Sequence, residues 1–172
     1  MEELGLGIFQ AEDEIASICA AIGASYGGAI GVTSSSGPGI ALKTESIGLA
    51  INAELPLVII NSQRGGPSTG LPTKTEQSDL YQAVYGRNAD SPIPVISTSS
   101  ASDSFDIAIE AVKIAIQHMT PVVLLTDGFI NNSSQPWLLP DIQKYKKINI
   151  NRPKKDVKNI FHRKKTTLAR YW

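Results

Sequence analysis

Apolar residues recur along this chain in short blocks separated by glycine, proline and polar turns. Leu4-Gly-Leu-Gly-Ile-Phe9 is apolar and broken by glycines, so it reads as a strand end and turn. From Ile15 to Tyr26 almost every position is apolar, which predicts a helix buried on more than one side. Ala29–Thr33 reads as a short strand, Ser34–Gly39 as a tight polar loop, and Ile40–Ala53 as a second buried helix with Pro38 as its starter. Leu57–Asn61 is a β-branched run bounded by proline and polar residues, as in a parallel strand covered on both faces. A long polar loop from Ser62 to Lys74 precedes a helix over Thr75–Tyr85. Pro94–Ser97 reads as a strand. From Ser102, Phe105, Ile107, Ala108, Ala111, Val112 and Ile116 fall at helical spacing, with His118 closing the helix on its last carbonyls. Pro121–Thr126 is the last clear strand, and Asp127-Gly128 turns after it.

Strand and helix alternate throughout, which predicts an α/β fold: an open parallel sheet with helices on both faces. The pattern stops near residue 142, so residues 1–142 read as one domain and 143–172 as a tail. In such sheets ligands bind beyond the carboxyl ends of the strands. That rule selects the loops Gln10–Glu14, Ser34–Gly39, Ser62–Thr75 and Asp127–Asn132.

Composition narrows the class. The 172 residues suffice for one sizeable core, and no apolar run approaches the roughly 18 residues of a membrane span. No basic leader with an apolar centre opens the chain, so the expectation is a cytoplasmic protein. The single cysteine, Cys19, is expected to pack as a small core hydrophobe, and one thiol cannot hold an iron–sulfur cluster or thiolate zinc site. No metal site is expected on this chain. The net charge of zero hides an asymmetry: 11 of 16 Lys and Arg lie at or after Lys144, against one acidic residue, Asp156. Without a nucleic-acid reading module, this basic tail reads as a solvated linker or as an arm on an acidic partner subunit.

Three loops carry candidate chemistry. Glu12, Asp13 and Glu14 open the first buried helix, where carboxylates complement the helix dipole. Glu14 lies deepest, directly before the apolar run, where partial desolvation would raise its pKa and suit it to handling a proton. In Ser34-Ser-Ser-Gly-Pro-Gly39, Ser36 and Gly37 are candidate cofactor contacts through backbone N–H groups. The loop lacks a P-loop lysine and dinucleotide-fingerprint spacing, and it reads equally as a turn packed against a neighbouring chain. Arg64 follows a core strand, and its planar guanidinium suits a substrate carboxylate held bidentately, with Ser68 and Thr69 adding hydroxyl donors. The structural alternative pairs Arg64 with Glu12, Asp13 or Asp79.

Phe9-Gln-Ala-Glu-Asp-Glu14, Thr33-Ser-Ser-Ser-Gly-Pro-Gly39, Gln63-Arg-Gly-Gly-Pro-Ser-Thr-Gly-Leu-Pro-Thr73 and Gln77-Ser-Asp-Leu80 occur in this order. Together they resemble the α subunit of the 2-oxoacid:ferredoxin oxidoreductases, in particular the pyrimidine-binding domain of the 2-oxoglutarate type. The resemblance implies a thiamine diphosphate-binding fold whose cofactor is shared with a diphosphate-binding domain on the β subunit. It implies that Glu14 hydrogen-bonds the pyrimidine N1′ and promotes its imino tautomer, and that Arg64 and Thr69 hold the substrate carboxylate. Mg²⁺ and an iron–sulfur cluster would then lie on partner chains. Ferredoxin would take the electrons, coenzyme A the acyl group, and a second copy of the chain could contribute contacts.

Departures from the family pattern set further expectations. A Tyr-Pro-Ile-Thr-Pro-Ser-Thr-Pro segment, which gives the family's substrate pocket a threonine, is absent, as are a fused γ domain and a C-terminal domain. The expected fold is therefore shortened at its N-terminus, with a bare sheet edge, and the isolated chain is not expected to turn over substrate. Two other readings stay open: a binding-only module of the same fold, and an unrelated nucleotide-binding α/β protein using Ser34–Gly39.

Overall fold

Two apolar strands, β2 (Leu57–Gln63) and β4 (Pro121–Asp127), form the centre of a parallel sheet in the computed structural model, which describes residues 5–145 and 148. They pair from Leu57↔Pro121 to Gln63↔Asp127, and every residue of β4 is buried. A strand covered by helices on both faces has no solvated side, so β4 runs apolar from Pro121 to Leu125 before Thr126 and Asp127 reach the sheet edge. β1 (Gly31–Ser35) pairs with β2 and β3 (Val95–Ser97) with β4, giving the order β1-β2-β4-β3 with all pairs parallel.

Side-chain alternation sends the central strands into two cores. Ile59, Val123 and Leu125 pack with Ile18 of α1 (Glu14–Tyr26) and Ile40 and Ile47 of α2 (Gly37–Asn52). Val58 and Val122 face Ala111 and Ala115 of α4 (Ser104–His118) on the other side. The expected open parallel sheet with helices on both faces is therefore observed. Gly31 lets α1 sit directly on β1, since a Cβ there would stand 2.6 Å from Leu57 Cδ2 and against the Ala21 carbonyl.

Several boundaries differ from the expected ones. Gly5–Phe9 forms no strand; among the described residues β1 pairs only with β2, and Phe9 is 71% exposed. α1 buries only the stripe that meets α2 and the sheet, so Ile15 and Cys19 are exposed and Cys19 is not a core residue. α2 begins at Gly37 rather than Ile40, with Ser36 as N-cap. The helix expected over Thr75–Tyr85 is restricted to α3 (Leu80–Tyr85), because Gln77 and Asp79 are used as loop anchors instead. α4 is closed by Met119 in a left-handed conformation, its N–H on the Ala115 carbonyl, and not by a His118 side-chain cap. A short helix α5 (Gly128–Asn132) replaces the turn expected after β4.

The segment after α5 returns across α4. The Phe105 ring lies 5.4 Å from that of Trp137 and 5.7 Å from that of Tyr145, whose hydroxyl donates to Asp106 over 2.6 Å. Most of the basic tail lies outside the described residues.

Candidate active site

All four strands run the same way, so their carboxyl ends share one edge, and the candidate loops after β1, β2 and β4 leave from it. Asp13 opens α1 as its N-cap, accepting from the Ala16 N–H at 2.7 Å, while Glu12 is exposed. The dipole-complementing role thus holds for Asp13. Glu14 is the first helical residue and half-buried. Its Cγ lies 2.8 Å from where a Cβ on Gly39 would stand, with Ser35 Oγ crowding the same point. Glycine at 39 therefore lets the glutamate stem lie directly on the first turn of α2.

Below this contact Lys43 is fully buried at 0% exposure. Its Nζ donates to Thr33 Oγ1 at 2.7 Å, and Thr33 Oγ1 shares a second 2.7 Å hydrogen bond with Ser17 Oγ of α1. Burial pushes the Lys43 pKa down, and the Glu14 carboxylate opposes that shift. Lys43 is not among the sequence-predicted site residues. Its signal was a lysine in the buried stripe of α2, which runs through Ile40, Lys43, Ile47 and Ala50 at helical spacing.

Gly37 is buried in the first turn of α2, and a Cβ on it would stand 2.5 Å from Asp79 Oδ2. The Asp79 carboxylate also accepts from Asn61 Nδ2 at 3.0 Å, and its backbone N–H donates to Gln63 Oε1 at 3.0 Å. An anion from the chain itself thus complements this helix N-terminus. Ser36 makes no side-chain cap bond.

The loop after β2 is tied down at several points. Gly65 N–H donates to the Lys74 carbonyl and Leu71 N–H to the Gly65 carbonyl, each at 2.8 Å, while Gly66 N–H donates to Glu76 Oε2 at 2.8 Å. Gly70 has φ +56° and packs on the Gly65 carbonyl, a position closed to a Cβ. Gln77 Nε2 donates to Asp127 Oδ2 at 2.6 Å. Asp127 also caps α5 through Oδ1, accepting from Phe129 and Ile130 N–H groups. Burial would raise its carboxyl pKa, but the Gln77 side chain and the two backbone donors outweigh this and hold it below the usual aspartate value.

Arg64 directly follows β2 and is half-buried, and its Nε is buried without a hydrogen-bond partner. Lys113 is ion-paired with Glu110, whereas among the described residues Arg64 is not bridged to Glu12, Asp13 or Asp79. Ser68 and Thr69 are exposed at the loop tip, Ser68 with φ +59° after the cis Gly66–Pro67 bond, and neither hydrogen-bonds within the described residues. The structure brings Glu14, Ser36 and Gly37 together around α2's first turn and sets Arg64 at the same sheet edge, but holds Ser68 and Thr69 on a surface tip.

The family described as pyruvate flavodoxin/ferredoxin oxidoreductase, thiamine diphosphate-binding, matches residues 2–169. The chain belongs to this family. Over 134 residues it is 63% identical to the 2-oxoglutarate oxidoreductase subunit KorA of Mycobacterium tuberculosis, covering 78% of this chain and 20% of that protein. Over 145 residues it is 46% identical to the 2-oxoglutarate synthase subunit KorA of Archaeoglobus fulgidus, covering 82% and 42%. Among solved structures it is similar to the 2-oxoglutarate:ferredoxin oxidoreductase of Magnetococcus marinus with 2-oxoglutarate, coenzyme A and succinyl-CoA bound. That match has TM-score 0.73 and 45% identity, and covers 75% of this chain and 23% of the other. The chain thus spans between a fifth and under half of the relatives it matches. Membership of this thiamine diphosphate-binding family replaces the reading as an unrelated nucleotide-binding protein. Among the described residues no helix is long and apolar enough to cross a membrane.

Proposed function

We propose that this chain supplies the pyrimidine-binding half of a thiamine diphosphate site in a 2-oxoacid:ferredoxin oxidoreductase α subunit, with 2-oxoglutarate as substrate. The overall reaction is oxidative decarboxylation: the 2-oxoacid loses CO₂, its acyl group passes to coenzyme A, and two electrons go to ferredoxin. The β subunit would carry the diphosphate and Mg²⁺ side of the site, with the iron–sulfur cluster also on a partner chain. The reading is of a cytoplasmic enzyme.

The observation that carries this reading is the placement of Glu14. A half-buried carboxylate opens α1, its stem lies on Gly39, and a buried ammonium lies beneath it at the carboxyl edge of a parallel sheet. Such a group fits a basic ring nitrogen of a cofactor, because it can share a proton while staying anchored by the helix. When bound, thiamine diphosphate supplies the electron sink for decarboxylation. Glu14 holds the proton at the pyrimidine N1′, and Ser36 and Gly37 line that side of the site. Arg64 binds the substrate carboxylate, which would satisfy its buried Nε, with Thr69 and Ser68 adding donors from the loop.

Co-expression with the β subunit from the same source tests the reading. The expected result is tight thiamine diphosphate binding and 2-oxoglutarate-dependent dye reduction, the reduction abolished in Glu14→Gln. Cofactor binding without reduction by any 2-oxoacid would identify a binding-only module. Association of the two chains without cofactor binding would overturn the proposal.

A further inference from the structure

A lysine held wholly out of water is unfavourable unless something nearby makes use of its charge or it gives up its proton. Lys43 stands at a position where the buried stripe of α2 otherwise carries Ile40, Ile47 and Ala50. Its hydrogen-bond acceptor is the Thr33 hydroxyl, a neutral group. Gly39 lies four residues earlier, so it shares the face of α2 that carries Lys43. The Glu14 stem rests on that glycine. The hydroxyls of Thr33 and Ser17 continue the contact into α1, one turn below Glu14. Three elements, α2, β1 and α1, are thus joined beneath the glutamate by one ammonium and two hydroxyls.

We propose that Lys43 is a positioning residue for Glu14: its buried ammonium, anchored on Thr33, is the fixed positive charge that orients the glutamate carboxylate at the sheet edge. This deepens the proposed function and rests on it for the purpose of that orientation. No direct Lys43–Glu14 ion pair forms, so the coupling acts through the field in a poorly solvated space, where screening is weak. Other charged groups around α2 are committed elsewhere. Asp13 caps Ala16, Asp79 is bonded to Asn61 beside Gly37, and Glu45 is exposed. Of the remaining titratable side chains of α1, Cys19 is exposed with its Sγ 3.7 Å from Ser46 Oγ, and Tyr26 is exposed. β1 and β2 carry no charged residue.

The coupling is measurable without cofactor, from the stability of the full 172-residue chain against denaturant on the alkaline side. The folded pKa of Lys43 lies below its ordinary 10.5, so the unfolded chain binds this proton more tightly. Stability therefore gains from Lys43 as pH rises through the folded value towards the unfolded one. In Glu14→Gln the charge favouring the ammonium is gone, and that gain is expected to begin at lower pH. Superposable profiles for the native chain and Glu14→Gln would overturn the proposal, whether or not a Lys43 variant folds.

The purpose of the coupling is read in the assembled α–β complex by thiamine diphosphate titration. Lys43→Met is expected to weaken binding roughly ten-fold, the scale of one charge-assisted interaction. Thr33→Val, which removes the anchor and keeps the charge, is expected to give a smaller loss. Cofactor affinity unchanged in Lys43→Met would sink the positioning role. If the native complex binds no cofactor while the alkaline profiles still differ, the functional reading fails and the Lys43–Glu14 coupling stands.

Discussion

Gln77 and Asp127, 50 residues apart in the chain, are joined by a 2.6 Å hydrogen bond that ties the end of the β2 loop to the end of β4. Asp127 is 1% exposed and spends its other oxygen on the N–H groups that open α5. One carboxylate therefore fixes a helix start and the loop that presents Arg64.

Because hydrogen bonding holds the Asp127 carboxyl below its ordinary 3.8, its contribution to stability is present above that value and is lost as pH falls through the folded one. Denaturant stability of the native chain is expected to fall more steeply below about pH 4 than that of Asp127→Asn. Asp127→Ala, which removes the cap as well, is expected to cost about 1–2 kcal/mol at neutral pH. Equal acid profiles for the native and Asn chains would refute the charge argument.

Two glycines of α2 should respond in opposite ways. Gly48 has open space where a Cβ would go, so Gly48→Ala is expected to stabilise the chain by about 0.5–1 kcal/mol through helix propensity. Gly39→Ala would place a methyl against Ser35 and the Glu14 stem, displacing the carboxylate. In the α–β complex its thiamine diphosphate affinity is expected to drop by on the order of ten-fold or more. Thermal melts and cofactor titration together check the pair.

The two arginines before the tail also separate. Arg87 donates to the carbonyls of Ala83, Val84 and Ser91, closing the end of α3. Arg87→Met leaves these acceptors without their donor and is expected to cost roughly 1.5–3 kcal/mol. Arg64 has no such partners, so Arg64→Met is expected to leave the melting temperature unchanged or higher.

Arg64→Lys tests the substrate role directly. A lysine keeps the charge and loses the planar fork, so KM for 2-oxoglutarate is expected to rise roughly ten-fold or more. A KM equal to that of the native complex would remove Arg64 from the substrate site.

The sequence by itself determined the alternating elements, the parallel sheet and the loops that gather at its carboxyl edge. Those follow from local periodicity: Pro121–Leu125 of β4 is apolar because both faces are covered, and Asp13, Glu14 and Pro38 lie where helix starts need them. The tertiary structure alone decided which of those residues act together. The nearly all-apolar sequence of α1 predicts a buried Cys19, yet only the stripe that meets α2 and the sheet is covered. Local pattern places Gln77 and Asp79 in a helix, but they are anchors because β4 and α2 bring Asp127 and Gly37 within their reach. Lys43 has no local signature of its role for the same reason. Its meaning depends on Thr33 and Glu14, and only the packing of α1 and α2 on β1 puts that buried charge beneath the carboxylate it serves.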